Sequence, residues 1–217
     1  MARTQFLDRE LKLALKADFG PEAMAAELAK FSKQALAEYL ATEEEPPGYV
    51  RYVNGREGAP EESVVAPGPI IYRFNWWPQI LKFAMAFLRA RSPTGGADGH
   101  KGRPTAYRDS FFVLAQGREK HPRQWSLIPP DEQVIITSDA PYHRKIDVQL
   151  MGDKPIRISV PDNIMENCAD AIYDRFGDVV KTKRVYNTPH SGQWIYRRGP
   201  REGKPVNSPA IIVTPWG

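Results

Sequence analysis

Four glycines and four basic residues crowd the stretch RSPTGGADGHKGRPTAYRDSFFV, residues 91–113, and glycines leading into a lysine are one half of a phosphate cradle. The other half is a Ser or Thr directly after that lysine, opening a helix whose free N–H groups face the anion. Gly102 follows Lys101 instead, and the residues beyond carry a strand pattern. Residues 93–105 therefore read as a flexible arm outside the fold, because glycine without a dihedral task mainly adds chain entropy. Other chemistry is equally thin. His100, His121, His143 and His190 have no second His or Cys at metal spacing, and His143, in the polar run YHRKID, takes a solvated or interface role by default. Glu166, Asp170 and Asp174 share one helix face opposite an apolar stripe. They read as a solvated side, since a catalytic metal draws its ligands from several elements. Ser110 and Ser191 lack a nucleophile-elbow context. The single cysteine, Cys168, falls on the apolar stripe, where thiols are inert, and excludes a disulfide framework or a cysteine-rich zinc site. No catalytic constellation emerges, and no cofactor or metal is expected.

The basic residues carry more. Between residues 181 and 204 stand Lys181, Lys183, Arg184, Arg197, Arg198, Arg201 and Lys204 against one acid, Glu202, with Trp194 and Tyr196 interleaved. Cations among aromatics can grip phosphates and stack on bases. The same residue types dominate protein–protein contacts, and no RNP, helix-turn-helix or finger pattern accompanies them, so a protein contact is the preferred reading. The candidate surface for a partner or a DNA backbone is Arg91, Lys101, Arg103, Arg108, Lys181, Lys183, Arg184, Arg197 and Arg198. A net charge of +4 permits either partner and demands neither.

These residues need elements to position them. With 41% hydrophobic and 26% charged residues over 217 positions, the chain can bury a real core and lies outside the disordered class. Its 20 prolines break it into short elements joined by shaped loops. Leu7, Leu11 and Leu15 mark one N-terminal helix. Ala25, Leu28, Leu36 and Leu40, with Phe31 and Tyr39 beside them, mark a second that starts near Pro21 and ends at the Glu43–Glu44–Glu45 run. Asn54-Gly55 signals a hairpin turn, and IIYRF a strand. Asn75 caps a helix over residues 76–90 whose stripe is Trp77, Ile80, Leu81, Ala84 and Leu88. Strands follow at YRDSFFVLAQG and QVIITS, then a short helix in DAPYHRKIDVQL. A helix over residues 162–176 buries Met165, Cys168, Ala169, Ile172 and Phe176, with Ser159 as its cap and Gly177 as its stop. In VVKTKRVYN, Val180, Thr182, Arg184 and Tyr186 alternate against Lys181, Lys183 and Val185. AIIVTPWG reads as an edge strand closing a loop-like tail. The expected fold is α+β: an antiparallel sheet built from the segments near Ile70, Phe111, Ile135 and Lys183, packed by two helices. Residues 1–47 form an N-terminal helical segment, 48–187 the core domain and 188–217 an extended C-terminal arm. The start MARTQFLDRELKLALK is too charged for a signal peptide. FNWWPQILKFAMAFL, interrupted by Lys82, falls short of the roughly 20 residues of a bilayer span, so no membrane is expected.

The order of fragments has a likeness. A helix runs into RARSPTGG, then come YRDSFFVLAQG, VIITSDAPYHRKID, another helix and a strand. This resembles the neck or tail-completion proteins of tailed bacteriophages, the group that includes minor tail protein Z of lambda-like phages. The family's Ser-Pro or Pro-x-x-Thr-Gly element corresponds to Ser92, Pro93, Thr94 and Gly95, and its Leu/Tyr-Arg-x-Ser element to Tyr107, Arg108, Asp109 and Ser110. Its later Pro-Tyr-Ala segment corresponds to Pro141 and Tyr142, with Asp147 near the place of its acid. Residues 96–105 stand as an insertion, His143 replaces a small residue, and no Gly-Thr follows Asp147. The likeness covers about residues 70–186 in order of elements. It implies a structural virion protein without catalytic residues, assembled in the bacterial host cytoplasm into a homo-oligomeric ring at the head–tail junction. Its partners would be itself and neighbouring head–tail connector and tail-tube or tail-terminator proteins, met through loops and arms, with double-stranded DNA passing along the axis. The N-terminal helices and the C-terminal arm, least able to bury themselves alone, are the parts expected to make the ring's head-to-tail contacts. The rival from another class is a nucleic-acid-binding accessory protein that uses the basic C-terminal region.

Replacing residues 95–105 by a short Gly-Ser link should leave a folded protein, because the arm's flanks need only a short connection. Joining of tails to heads should weaken. An unfolded deletion protein, seen by circular dichroism, would make the stretch part of the domain, and normal particle assembly would remove its role as an arm.

Overall fold

Pro21, at the first position of helix α1 (Pro21–Ala41), has the fixed φ that a helix start needs, after Gly20 in an extended conformation. The computed structural model describes residues 20–93, 107–140, 143–151, 154–155, 162–187, 202–204 and 207–216. The Leu7–Leu11–Leu15 helix, the Ser159 cap, Pro141–Tyr142 and most of the glycine-rich arm fall outside these residues. The fold is α+β, in two compact units of residues 1–79 and 80–217. The division falls after Gln79, whereas the sequence reading places a boundary after residue 47.

In the first unit, strands β1 (Gly48–Val53), β2 (Arg56–Glu57) and β3 (Ile70–Asn75) form an antiparallel sheet in the order β2-β1-β3. Asn54 and Gly55, at φ 49° and 76°, make the turn their sequence announces. Leu28 and Ala29 of α1 pack with Val53, Val64 and Ile70. Ser32 shares their buried stripe by donating its hydroxyl to Leu28 O at 2.8 Å, while Phe31, expected beside that stripe, is 41% exposed. Buried Glu61 accepts from Arg51 (2.6 Å) and Tyr72 (3.0 Å). Burial would raise its pKa, but these bonds and the Arg51 charge hold it below the usual carboxylate range. The Ile70 strand thus belongs to a separate sheet and not to the one expected with Phe111, Ile135 and Lys183.

Helix α2 (Trp77–Arg91) starts where Asn75 Oδ1 accepts the Trp77 N–H at 3.0 Å, and Ile80, Leu81, Ala84 and Leu88 are fully buried as their spacing predicts. The larger sheet then assembles from β4 (Phe111–Ala115), β5 (Arg118–Glu119), β6 (Val134–Ser138), β9 (Val180–Asn187) and β10 (Ser208–Pro215). Its order is β5-β4-β6-β10-β9, antiparallel throughout. Between β6 and β9 lie helix α3 (His143–Val148), the small hairpin β7 (Leu150–Met151) and β8 (Lys154–Pro155), and helix α4 (Ile164–Phe176).

Two expectations change here. The AIIV segment is no edge strand: β10 lies inside the sheet, paired to β6 on one side and β9 on the other. Proline confined to sheet edges argues otherwise. Pro209, however, is the second residue of the strand, and its carbonyl serves side chains, accepting from Thr137 Oγ1 (3.0 Å) and His143 Nε2 (3.1 Å). Gly177 does stop α4, but not through positive φ. Its backbone remains helical, and a Cβ there would meet Tyr173 O at 2.5 Å, so the glycine answers a close approach.

Leu81 is wholly buried in α2. Leu81→Asp places an unpaired charge there and should cost more than about 4 kcal/mol. Thermal denaturation reads this directly, and a near-unchanged melting temperature would remove α2 from the core.

Candidate functional site

Beside the apolar core of the second unit lies one buried ionic cluster. His143 and Asp147 stand four residues apart on α3, on one face, and both have zero exposure. Asp147 Oδ1 accepts the Met165 N–H at 2.9 Å, so this carboxylate caps α4 from outside the helix. Asn163, the residue before α4, contributes no side-chain cap; its N–H donates to Asp147 O at 2.6 Å. The other carboxylate oxygen accepts from Arg184 Nη2 at 2.5 Å, and Arg184 also reaches Tyr186 Oη (2.7 Å) and Glu166 (3.6 Å). Burial would lower the Arg184 pKa, but the hydrogen bond and charge of Asp147 raise it, so the guanidinium stays ionised.

His143 is the uncharged member. Its ring lies 5.8 Å from Phe111 and bonds Tyr107 Oη through Nδ1 at 2.8 Å. The carbonyl of Pro209 can only accept, so Nε2 carries the proton and Nδ1 accepts from the tyrosine. Burial pulls the His143 pKa down to about 4 against the opposing pull of Asp147 and the Pro209 carbonyl. The solvated or interface role expected from the polar run YHRKID is therefore wrong. Arg144 and Lys145 take the exposed side of α3, and His143 turns inward. The four-residue spacing of His143 and Asp147 was the available signal.

The sequence-derived contact residues separate into three groups. Lys101, Arg103, Arg197 and Arg198 lie outside the described residues. Arg91 is exposed, with its guanidinium 3.6 Å over the Phe87 ring, and Arg108 is half-buried in the turn before β4. On β9, Lys181 and Lys183 are exposed, Lys181 lying 3.8 Å from the Trp216 ring, while Arg184 is committed to Asp147. Sequence reading missed the pairing of Arg144 and Arg184 with the ring of Tyr186, at 5.5 and 4.7 Å, which leaves that tyrosine 45% exposed between two cations. Glu166, Asp170 and Asp174 all face solvent. Among the described residues no group of three or more His, Cys, Asp or Glu is placed to hold a metal ion. Cys168 is fully buried, its thiol pushed up to about 12 by burial.

No family model, curated protein or solved structure matches the chain. Its own chemistry must carry the functional argument.

What the site does chemically is hold one carboxylate, one guanidinium and one neutral imidazole in fixed relation, binding α3, α4, β9 and β10 together. The imidazole makes this pH-dependent. Unfolded histidine titrates near 6.5, whereas the folded ring resists the proton down to about 4. His143's contribution is thus complete above about pH 6.5 and is lost as pH falls towards 4, about 3 kcal/mol in all. Urea denaturation at pH 7.5, 5.5 and 4.5 should show this loss in the wild type and not in His143→Gln. Equal losses in both would assign the titration to another group.

Proposed function

We propose that this chain is a structural virion protein of a tailed phage, forming a ring at the head–tail junction that joins tail to head. The observation that carries the reading is where the family-like fragments fall. Ser92 and Pro93 directly follow α2, and Tyr107–Ser110 form the turn into β4. Asp147, near the place of the family's acid, is the buried carboxylate on which the second unit converges. Short motifs placed at element junctions describe a scaffold, and a scaffold is what such a ring requires. The exposed cations Arg91, Lys181 and Lys183 suit contacts to neighbouring ring proteins or to passing DNA, where charge sets specificity more than affinity.

A second reading has its own support. Tyr186 and Trp216 are 45% and 43% exposed, and each lies against a cation, an arrangement suited to stacking on single-stranded bases. Salt separates the two: phosphate binding weakens steeply as salt rises, and a ring held by apolar contacts does not.

Antibody labelling of infected-cell fractions and purified particles should place the chain in finished virions at the head–tail junction. Its presence solely in the cytoplasm, never in virions, would overturn the structural reading.

A further inference from the structure

Strand β9 sends alternate side chains to opposite sides of its sheet. Thr182 and Arg184 face α4: the Thr182 hydroxyl donates to Ala169 O at 2.9 Å, and Arg184 meets Asp147 and Glu166. Lys181 and Lys183 therefore point away from α4, and both are exposed. On the other side, α4 presents Asp170 and Asp174 to solvent, with Tyr173 between them 52% exposed. One body thus carries an acidic, aromatic-bearing helix face and, across the sheet, a basic strand face. No copy can bring its own two faces together.

The two faces match in spacing. Lysines two residues apart on a strand are separated by about 6.6 Å, and aspartates four apart on a helix by about 6 Å. Beside the lysines lie half-buried Val185 and Ile212, the latter paired in register with Lys183, an apolar floor for a tyrosine ring. Neighbouring charges leave this pairing open. Glu166 is engaged near Arg184, and Arg175 lies over the Phe83 and Phe176 rings.

From this complementarity we infer that the Asp170–Tyr173–Asp174 face of one copy docks on the Lys181–Lys183 face of a second copy. The contact is head-to-tail, so repetition makes a ring wherever the rotation per step closes. It deepens the ring reading above and rests on it, and it places the copy-to-copy contact on α4 and β9 instead of the N-terminal helices and C-terminal arm expected from the sequence. Docking covers the exposed Tyr173 as its anchor, and the charges select register and partner.

Sedimentation of the full chain in about 0.15 M salt tests the docking. D170K/D174K alone and K181E/K183E alone should each self-associate at least about tenfold more weakly than wild type, since each sets like charges opposite one another. K183E alone, which leaves Lys181 on Trp216, guards against an effect on folding and should weaken association in the same direction. An equimolar mixture of the two double variants should associate more strongly than either variant alone, because neighbouring unlike copies restore opposite charges at their contact. Variants that associate as strongly as the wild type, a mixture no stronger than its components, or a wild type that stays monomeric would each overturn the docking. Particle labelling decides the ring reading separately: a chain present at the head–tail junction but insensitive to these substitutions leaves that reading standing.

Discussion

A carboxylate with no exposure must be paired or it destabilises the fold by several kcal/mol, and Asp147 meets this constraint through two separate elements, α4 and β9. Its side chain takes an N–H from the start of α4 and the guanidinium of β9, while its own carbonyl takes the N–H of Asn163. Helix α3, which supplies it, has six residues and would not persist alone. It exists because its inward residues are fastened at both ends: Asp147 to α4 and β9, and His143 to Tyr107 and the Pro209 carbonyl of β10. Removing one partner would leave the others buried without compensation, so the arrangement holds or fails as a whole.

How much of this was legible in the sequence follows from which signals are local. Helices α2 and α4 were readable because their apolar residues recur at helical spacing, and Asn75 stands at the start of α2 as a cap should. The Asn54-Gly55 turn was readable because two positive φ angles need those residue types. Strand β9 was readable from its alternation, though not the fate of Arg184, whose partner lies 37 residues earlier. The membership of the sheets was not readable. Whether β3 pairs with β1 or with β4 depends on the whole topology, and no window of sequence contains it. His143 was misread for a related reason: its neighbours Arg144 and Lys145 are polar because they occupy the other face of the same helix.

Charge in the second unit is sorted by depth as well as by sign. The inner charges, buried Asp147 and half-buried Arg184, pair with each other. The charges that remain available lie outside, acids along α4 and lysines on the far side of β9. A body with unlike faces favours repetition in one direction over self-paired dimers, in keeping with the proposed ring. The exposed aromatics Tyr173, Tyr186 and Trp216 accompany these outer charges, where a ring can cover apolar area while its polar edge stays wet.

The place of β10 bears on how the protein is made. It is the last strand of its sheet in chain order, yet it separates β6 from β9, and Pro209 serves Thr137 from 72 residues away. While a ribosome is still synthesising the chain, β4 with β6 can form a hairpin-like pair, but β9 has no neighbour until β10 emerges. For that interval two strand edges stand open, each a template for wrong pairing with another nascent chain. Closure over so long a separation is slow in proportion to the chain entropy it must overcome. Aggregation during synthesis is therefore the hazard this topology carries, and rapid capture of residues 208–215 is what removes it.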